Sequence, residues 1–201
     1  LGVLRSPLLG GFNASNLLAA LAALLEIGMP LEDALAHLGR VEAPAGRMER
    51  FAVAGRPLVV IDYAHTPDAL DKALRTLRRH ASGQLAVVFG CGGERDAAKR
   101  PRMGAVAAEL ADRVILTDDN PRGEDGETII QAILAGMPQG QAVRVERDRR
   151  AAIALALAEA APDDIVLVAG KGHEDYQEVA GLRRAYSDRD TVQELLGEGA
   201  C

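Results

Sequence analysis

Arg113-Val114-Ile115-Leu116-Thr117-Asp118-Asp119-Asn120-Pro121-Arg122-Gly123 is the stretch that decides the fold. It begins as an apolar run typical of a buried strand and continues into a turn rich in carboxylate, amide and guanidinium groups. Regular structure stops at Asn120-Pro121, because proline lacks a backbone N–H and restricts the residue before it. Open α/β sheets bind ligands in loops that directly follow buried strands. The stretch therefore predicts a strand followed by a candidate site.

Similar apolar runs recur at regular spacing on both sides of this stretch. Strands buried on both faces are predicted at 58–62, 85–89, 113–117 and 164–169, with a weaker strand at 142–146. Helices are predicted between them at 67–80, 101–111, 126–136 and 148–161. Alternating β and α units of this length predict an α/β fold with a doubly wound, mostly parallel, Rossmann-like sheet.

The end of the chain has a different pattern from its middle. Tyr176–Val179 and Arg183–Tyr186, separated by a turn at Gly181, predict a β-hairpin. We expect this hairpin to add an antiparallel C-terminal edge to the sheet. A last helix is predicted from Ser187 or Asp188 to Leu196.

The first residues predict helices without strands. One helix is expected at 13–28, and a second is expected from Pro30 to Leu38, closed by Gly39. Residues 40–50 form a polar connector with proline and glycine, which marks a candidate domain boundary. Because the chain opens with Leu1-Gly2-Val3-Leu4 and without methionine, we expect it to be a piece of a longer protein.

Composition narrows the classes of function. The net charge of −6 and the pI near 5.3 argue against a nucleic-acid partner. No uninterrupted apolar run reaches the roughly 18 residues of a membrane span, and no signal peptide is recognised, so a cytoplasmic protein is expected. Cys91 and Cys201 are far apart and form no CxxC motif, which gives no indication of a disulfide framework or a zinc site.

Functional side chains are concentrated in the loops that follow the predicted strands. These loops span residues 62–68, 90–101, 117–123 and 170–175. In a parallel sheet they leave the same edge, at the carboxyl ends of the strands, which we call the rim. The loops at the opposite edge, such as 81–83 and 138–140, carry few such groups. The asymmetry predicts a site at the rim.

Two rim loops are rich in glycine but fail the tests for known phosphate motifs. Arg95 stands where a dinucleotide fingerprint following Gly90-x-Gly92 needs glycine, and Gly170-Lys171-Gly172 lacks the rest of a Walker A loop. Their glycines can equally serve tight turns. His65 and His173 allow acid–base or metal chemistry, although hydrogen bonding is favoured over a metal cage.

Taken together, the motifs of the chain resemble those of the Mur ligase family. They are Gly11-Phe12-Asn13-x-x-Asn16, Gly46-Arg47-x-Glu49, Asp62-Tyr63-Ala64-His65-Thr66-Pro67, Gly90-x-Gly92-Gly93-x-Arg95-Asp96, Asp119-Asn120-Pro121-Arg122 and Gly170-Lys171-Gly172-His173-Glu174. The resemblance runs in order over essentially the whole chain. It implies that 1–46 is the helical C-terminal end of a central ATP-binding domain and that 47–201 is a C-terminal amino-acid-binding domain.

The resemblance implies an ATP- and Mg²⁺-dependent amide ligation in peptidoglycan synthesis, which adds meso-diaminopimelate to UDP-MurNAc-L-Ala-D-Glu through an acyl phosphate. It implies nucleotide contacts by Asn13, Asn16, Arg47, Asp62 and His65. It implies contacts to the amino acid by Arg95, Asp119, Asn120, Pro121, Arg122, Gly170 and Glu174. The family's phosphate loop, Mg²⁺ ligands and carbamylated lysine would lie upstream, so no metal ligand is expected here. The chain alone is expected to be an inactive fragment, and the enzyme a monomer without a membrane partner.

Arg122 discriminates among the alternatives. Meso-diaminopimelate is lysine with an additional carboxylate, and a planar bidentate guanidinium suits that group. Lysine-adding relatives lack this arginine, so a lysine-adding ligase is the second choice. A non-catalytic scaffold is a further alternative, disfavoured because the nucleotide motifs are intact. A folate-linked polyglutamate ligase is less favoured, because the Asp119–Arg122 loop has no role there.

Overall fold

The computed structural model describes residues 2–197, and the chain divides into two compact units, Leu1–Pro44 and Ala45–Cys201. Leu1 and Cys201, both used in the sequence analysis, lie outside the described residues. The first unit contains helices α1 (Gly11–Glu26) and α2 (Leu31–Leu38), which pack against each other. Helix α1 ends before Gly28, whose φ of +89° suits the turn that follows.

The second unit is built on a six-stranded sheet. Its strands are β1 (Glu49–Phe51), β2 (Leu58–Asp62), β3 (Leu85–Phe89), β4 (Arg113–Leu116), β5 (Val143–Val145) and β6 (Ile165–Ala169). They lie in the order β1-β2-β6-β3-β4-β5, and all pairs are parallel except β1 with β2. Every residue of β3 and β6 is buried, as expected for central strands covered on both faces.

Helices cover both faces of this sheet, so the predicted doubly wound α/β fold is confirmed. They are α3 (Pro67–Arg78), α4 (Lys99–Leu110), α5 (Gly126–Leu134), α6 (Arg149–Ala158) and α7 (Asp188–Leu196). Side chains alternate along a strand, and Val59, Ile61 and Val88 belong to one buried cluster with residues of α6 and α7. Helix α3 packs against β3, β6 and α4, and α4 packs against α5.

Side-chain caps fix where several of the helices begin. The Thr66 hydroxyl accepts the Ala69 N–H at the start of α3 (3.3 Å), and Pro67 occupies the first helical position. Asp148 accepts the Ala151 N–H at the start of α6 (2.9 Å). Ser187 caps α7 in the same way. The capping residues determine where each helix begins and therefore where the preceding loop ends. Thr66 in this way ends the rim loop that follows β2.

The C-terminal hairpin forms as predicted, but it does not extend the sheet. Strands β7 (Tyr176–Val179) and β8 (Leu182–Ala185) form a separate two-stranded sheet, and β7 also makes an isolated β-bridge to Arg122 through Val179. The prediction that the hairpin forms an antiparallel edge of the main sheet is therefore wrong. The antiparallel edge strand of that sheet is β1. Strand β6 has neighbours on both sides, and every residue of β8 is exposed, so β8 offers no buried face. The hairpin consequently lies over the rim.

A buried ion pair joins the beginnings of α6 and α7. Arg149 donates from Nε and Nη2 to the two carboxylate oxygens of Asp188, each at 2.8 Å, and neither side chain is exposed. Arg149 Nη2 also donates to the carbonyl oxygen of Ala169, at the end of β6 (3.0 Å). The pair therefore connects two helices to the central strand directly below the rim.

Replacing Asp188 with alanine is expected to lower the free energy of unfolding by about 3–5 kcal/mol, because it leaves a buried guanidinium without its carboxylate. The matched control is Asp68→Ala, which removes an exposed pair with Lys72 (2.7 Å) and should cost less than about 1 kcal/mol. Urea denaturation of both variants, followed by circular dichroism, measures the difference. Equal losses would contradict the structural role of the buried pair.

Candidate functional site

The rim loops of the second unit enclose a cleft of about 510 Å³. All four rim loops contribute residues to the lining of the cleft, and so does Tyr176 at the start of the hairpin. Its charged lining consists of Arg95, Asp96, Lys99, Asp119, Arg122 and Glu174. Cations and carboxylates therefore face the same space, an arrangement that suits a small ligand carrying both charges.

The glycines after β3 allow two rim loops to pack backbone against backbone. A Cβ on Gly93 would collide with the carbonyl oxygen of Pro121, and one on Gly90 would collide with that of Thr117. The Gly93 N–H also donates to the carbonyl oxygen of Asn120 (2.9 Å). These glycines thus serve close loop packing. Pro121, predicted as a site residue, is buried in this contact and does not line the cleft.

Arg122 occupies an unusual backbone conformation. Its φ is +55°, a left-handed conformation that costs of order 1–3 kcal/mol for a residue with a side chain. The hairpin holds it there, because the Arg122 N–H donates to Glu178 O (3.0 Å) and the Ala180 N–H donates to Arg122 O (2.7 Å). Arg122 Nη1 donates to Gly93 O (2.8 Å), and the residue lines the cleft.

Asp119 is a nearly buried carboxylate at the floor of the cleft, with 8% of its surface exposed. Burial raises the pKa of the Asp119 carboxyl group, while the nearby charges of Arg149 and Lys171 act in the opposite direction. Gly170, at φ +118°, leaves room for this group, since a Cβ there would lie 2.6 Å from Asp119 Oδ2. The predicted residues Asp119 and Gly170 therefore adjoin each other.

A buried lysine that was not among the predicted site residues connects those that were. Lys171 Nζ donates to Asn120 Oδ1 (2.8 Å), to Tyr176 O (2.7 Å) and to Glu174 Oε2 (3.4 Å). Asn120 Nδ2 donates to the same Glu174 oxygen (2.8 Å). Burial lowers the pKa of Lys171, and the charge of Asp119 opposes that effect. The available signal was its place between two glycines directly after a fully buried strand.

The residues of the second unit that were predicted to contact the nucleotide lie around Tyr63. The Arg47 guanidinium carbon lies 4.7 Å from the centre of the Tyr63 ring, and the His65 ring centre lies 4.6 Å from it. Arg47 and His65 are exposed. Asp62 Oδ2 instead accepts the Met48 N–H (2.8 Å), and burial raises the pKa of its carboxyl group. Tyr63 was not among the predicted residues.

Asn13 and Asn16, which were also predicted to contact the nucleotide, belong to the first unit and lie in the first turns of α1. Asn13 Nδ2 donates to Leu9 O (2.8 Å), and Asn16 Nδ2 donates to Asn13 Oδ1 (3.3 Å). Asn16 is exposed, whereas Asn13 is half-buried. Both amide atoms of Asn13 thus make hydrogen bonds to nearby residues, whereas the Asn16 side chain is accessible to solvent.

The described residues show neither a metal centre nor a reactive thiol. Within residues 2–197, no group of three or more His, Cys, Asp or Glu side chains could hold a metal ion. Cys91 is buried against Met103 and burial raises its pKa to about 12, so it is not a thiolate nucleophile. None of the described helices is long and apolar enough to cross a membrane.

Comparisons with known proteins give consistent results. Residues 46–172 match the family described as Mur ligase, glutamate ligase domain. The chain is 54% identical over 195 residues to the UDP-N-acetylmuramoyl-L-alanyl-D-glutamate–2,6-diaminopimelate ligase of Pseudomonas aeruginosa, covering 97% of the chain and 40% of that ligase. It is 53% identical over 196 residues to the ligase of the same name from Vibrio vulnificus, covering 98% and 40%.

A solved structure of a ligase of this name superimposes with a TM-score of 0.78 at 44% sequence identity. The match covers 97% of this chain and 40% of that structure. The chain thus spans about 40% of the length of the relatives that it matches.

Proposed function

The chain belongs to the Mur ligase family, and from this premise we propose that it is part of an ATP-dependent ligase that adds meso-diaminopimelate to UDP-MurNAc-L-Ala-D-Glu in peptidoglycan synthesis. The names of its relatives from Pseudomonas aeruginosa and Vibrio vulnificus support this reaction. The observation that carries the proposal is the cleft at the rim, because cations and carboxylates face a single space large enough for an amino acid.

The charges of the cleft complement those of meso-diaminopimelate, which carries two ammonium groups and two carboxylates. In our assignment, the guanidinium groups of Arg95 and Arg122 bind carboxylates of the substrate. Asp119, Glu174 and the carbonyl oxygen of Gly170 accept from an ammonium group. Asn120 lies beside Glu174 and offers an amide donor to a substrate carboxylate, and Pro121 acts by shaping the loop.

A lysine-adding ligase is the nearest alternative, and the position of Arg122 disfavours it. A lysine substrate would leave the guanidinium without the second carboxylate, a penalty of about 1–3 kcal/mol or more. Because Arg122 lines the cleft in a strained backbone conformation that the hairpin holds, the protein maintains this cation at an energetic cost. We infer selection for a ligand carrying two carboxylates.

We propose that 1–46 is the end of the central ATP-binding domain and that 47–201 is the amino-acid-binding domain. The nearby division of the chain at Pro44–Ala45 supports this boundary. The exposed Arg47 guanidinium beside the rings of Tyr63 and His65 fits a nucleotide, through charge and stacking. We also propose nucleotide contacts for Asn13 and Asn16, and Asp62 would act by holding the Met48 backbone.

ATP supplies the phosphoryl group that turns the glutamate carboxylate into an acyl phosphate, a good acceptor for an amine. The residues of this chain bind and orient the incoming amino acid, so that its amino group is presented to the activated carboxylate. The described residues contain no group of three or more His, Cys, Asp or Glu side chains that could hold a metal ion, and we propose that the Mg²⁺ ligands belong to the rest of the enzyme. We propose a cytoplasmic, monomeric enzyme.

Arg122→Ala in the full-length ligase is expected to lower kcat/KM for meso-diaminopimelate about 100-fold, because a charged hydrogen-bonding partner of the substrate is lost. The KM for ATP should change less than about threefold, since Arg122 is assigned to the amino acid and not to the nucleotide. Arg150→Ala, which removes an exposed arginine paired with Glu194 on α6 and α7, is the matched control. Steady-state measurement of both KM values tests the assignment. Equal effects on both substrates would refute it.

The chain on its own is expected to release no ADP from ATP, because the described residues lack metal-ligand clusters and the family's phosphate loop is expected elsewhere. A coupled assay of ADP release, with and without meso-diaminopimelate, measures this directly. Substantial turnover would mean that the chain contains a phosphate site that the proposal does not include.

A further inference from the structure

Lys171 lies behind the cleft and does not line it. Its side chain has no exposed surface, and its ammonium group meets oxygen atoms from three separate segments. They are Asn120 Oδ1 in the loop after β4, Glu174 Oε2 in the loop after β6, and Tyr176 O in the hairpin. An ammonium group has three donors, so these contacts use its full capacity. Lys171 can therefore influence a ligand only through the residues that it holds.

The contacts of Asn120 define which way its amide faces. Asn120 Oδ1 accepts from Lys171 Nζ (2.8 Å) and from the Glu178 N–H (3.0 Å), which occupies both of its lone pairs. Asn120 Nδ2 donates one hydrogen to Glu174 Oε2 (2.8 Å), and no described residue accepts the second hydrogen, which is therefore available to the cleft that Asn120 lines. With Lys171 in place, Asn120 thus offers the cleft a donor and cannot offer an acceptor.

Glu174 is held by the same group of contacts. One of its carboxylate oxygens accepts from both Lys171 Nζ (3.4 Å) and Asn120 Nδ2 (2.8 Å). Among residues 2–197, no hydrogen-bond donor is found for the other carboxylate oxygen, and Glu174 lines the cleft. Lys171 therefore sets a donor and a carboxylate side by side, which complements the carboxylate and ammonium groups at one end of an amino acid.

We propose that Lys171 is a positioning residue that sets the orientation of Asn120 and Glu174 and thereby the selectivity for a diamino acid with a second carboxylate over lysine. This inference rests on the proposed function. Without the ammonium group, the Asn120 oxygen keeps only the Glu178 N–H as a donor, so the amide is held less firmly and can turn its oxygen toward the cleft. An oxygen there repels a carboxylate of meso-diaminopimelate but meets no such group at the far end of lysine. The loss therefore falls mainly on the substrate with two carboxylates.

The test compares Lys171→Met and Lys171→Gln in the full-length ligase, with kcat/KM measured for meso-diaminopimelate and for L-lysine. For Lys171→Met we expect the ratio of the two values to fall at least about tenfold, through a higher KM for meso-diaminopimelate. Lys171→Gln keeps a donor and should recover part of the ratio. The matched control is Lys72→Met, an exposed lysine paired with Asp68 on α3, which should leave the ratio unchanged.

A purely structural role would lower both kcat/KM values equally, and an unchanged ratio in Lys171→Met overturns the inference. Asn120→Asp provides a second test if the lysine variants fail to fold, since it keeps an oxygen for Lys171 and replaces the amide donor with another oxygen. The ratio must fall in this variant too, and an unchanged ratio would overturn the inference. Ligation of meso-diaminopimelate by the wild-type enzyme tests the proposed function separately, before any variant is compared.

Discussion

A lysine ammonium group without solvent contact is stable only where oxygen atoms surround it, because burying an unpaired charge costs several kcal/mol. Lys171 meets this constraint by drawing three segments of the chain together: the loop after β4, the loop after β6 and the start of the hairpin. The relative positions of Asn120, Glu174 and Tyr176 follow from that requirement. The wall of the cleft that these residues form depends on a charge that lies behind it.

A second buried cation stabilises the rim from below. Arg149 is paired with Asp188 and donates to the carboxyl end of β6, so the central strand, α6 and α7 meet at one charged centre. Asp119 lies within the electrostatic reach of both Arg149 and Lys171. Burial acts against the charged forms of Asp119 and Lys171, and their opposite charges offset part of that penalty. The floor of the cleft is therefore a compensated cluster rather than an isolated acid.

The central strands could be predicted from sequence, because unbroken apolar runs such as 58–62 and 85–89 are buried on both faces and give a strong local signal. Strand β1 was missed, since Glu49–Phe51 is short and becomes a strand only by pairing with β2. The hairpin was recognised, but its position outside the main sheet was not. Which edge a strand joins depends on distant residues, and no local pattern reports it.

The rim was predictable for a similar reason. Loops after parallel strands share one edge, so Arg95, Arg122 and Glu174 could be grouped before the structure was known. Lys171 was not recognised, because a lysine between two glycines has the same appearance in sequence whether it is exposed, binds a phosphate or is buried. Its burial results from the packing of the hairpin over the rim, which only the tertiary structure shows.

A crystal structure of the full-length ligase with meso-diaminopimelate bound would test the central claim most directly. Our account predicts a substrate carboxylate within about 3 Å of the Arg122 guanidinium, an ammonium group at Glu174, and the Lys171 ammonium still bound to Asn120 Oδ1. A substrate bound away from the rim, or one whose carboxylates avoid Arg122, would contradict the account.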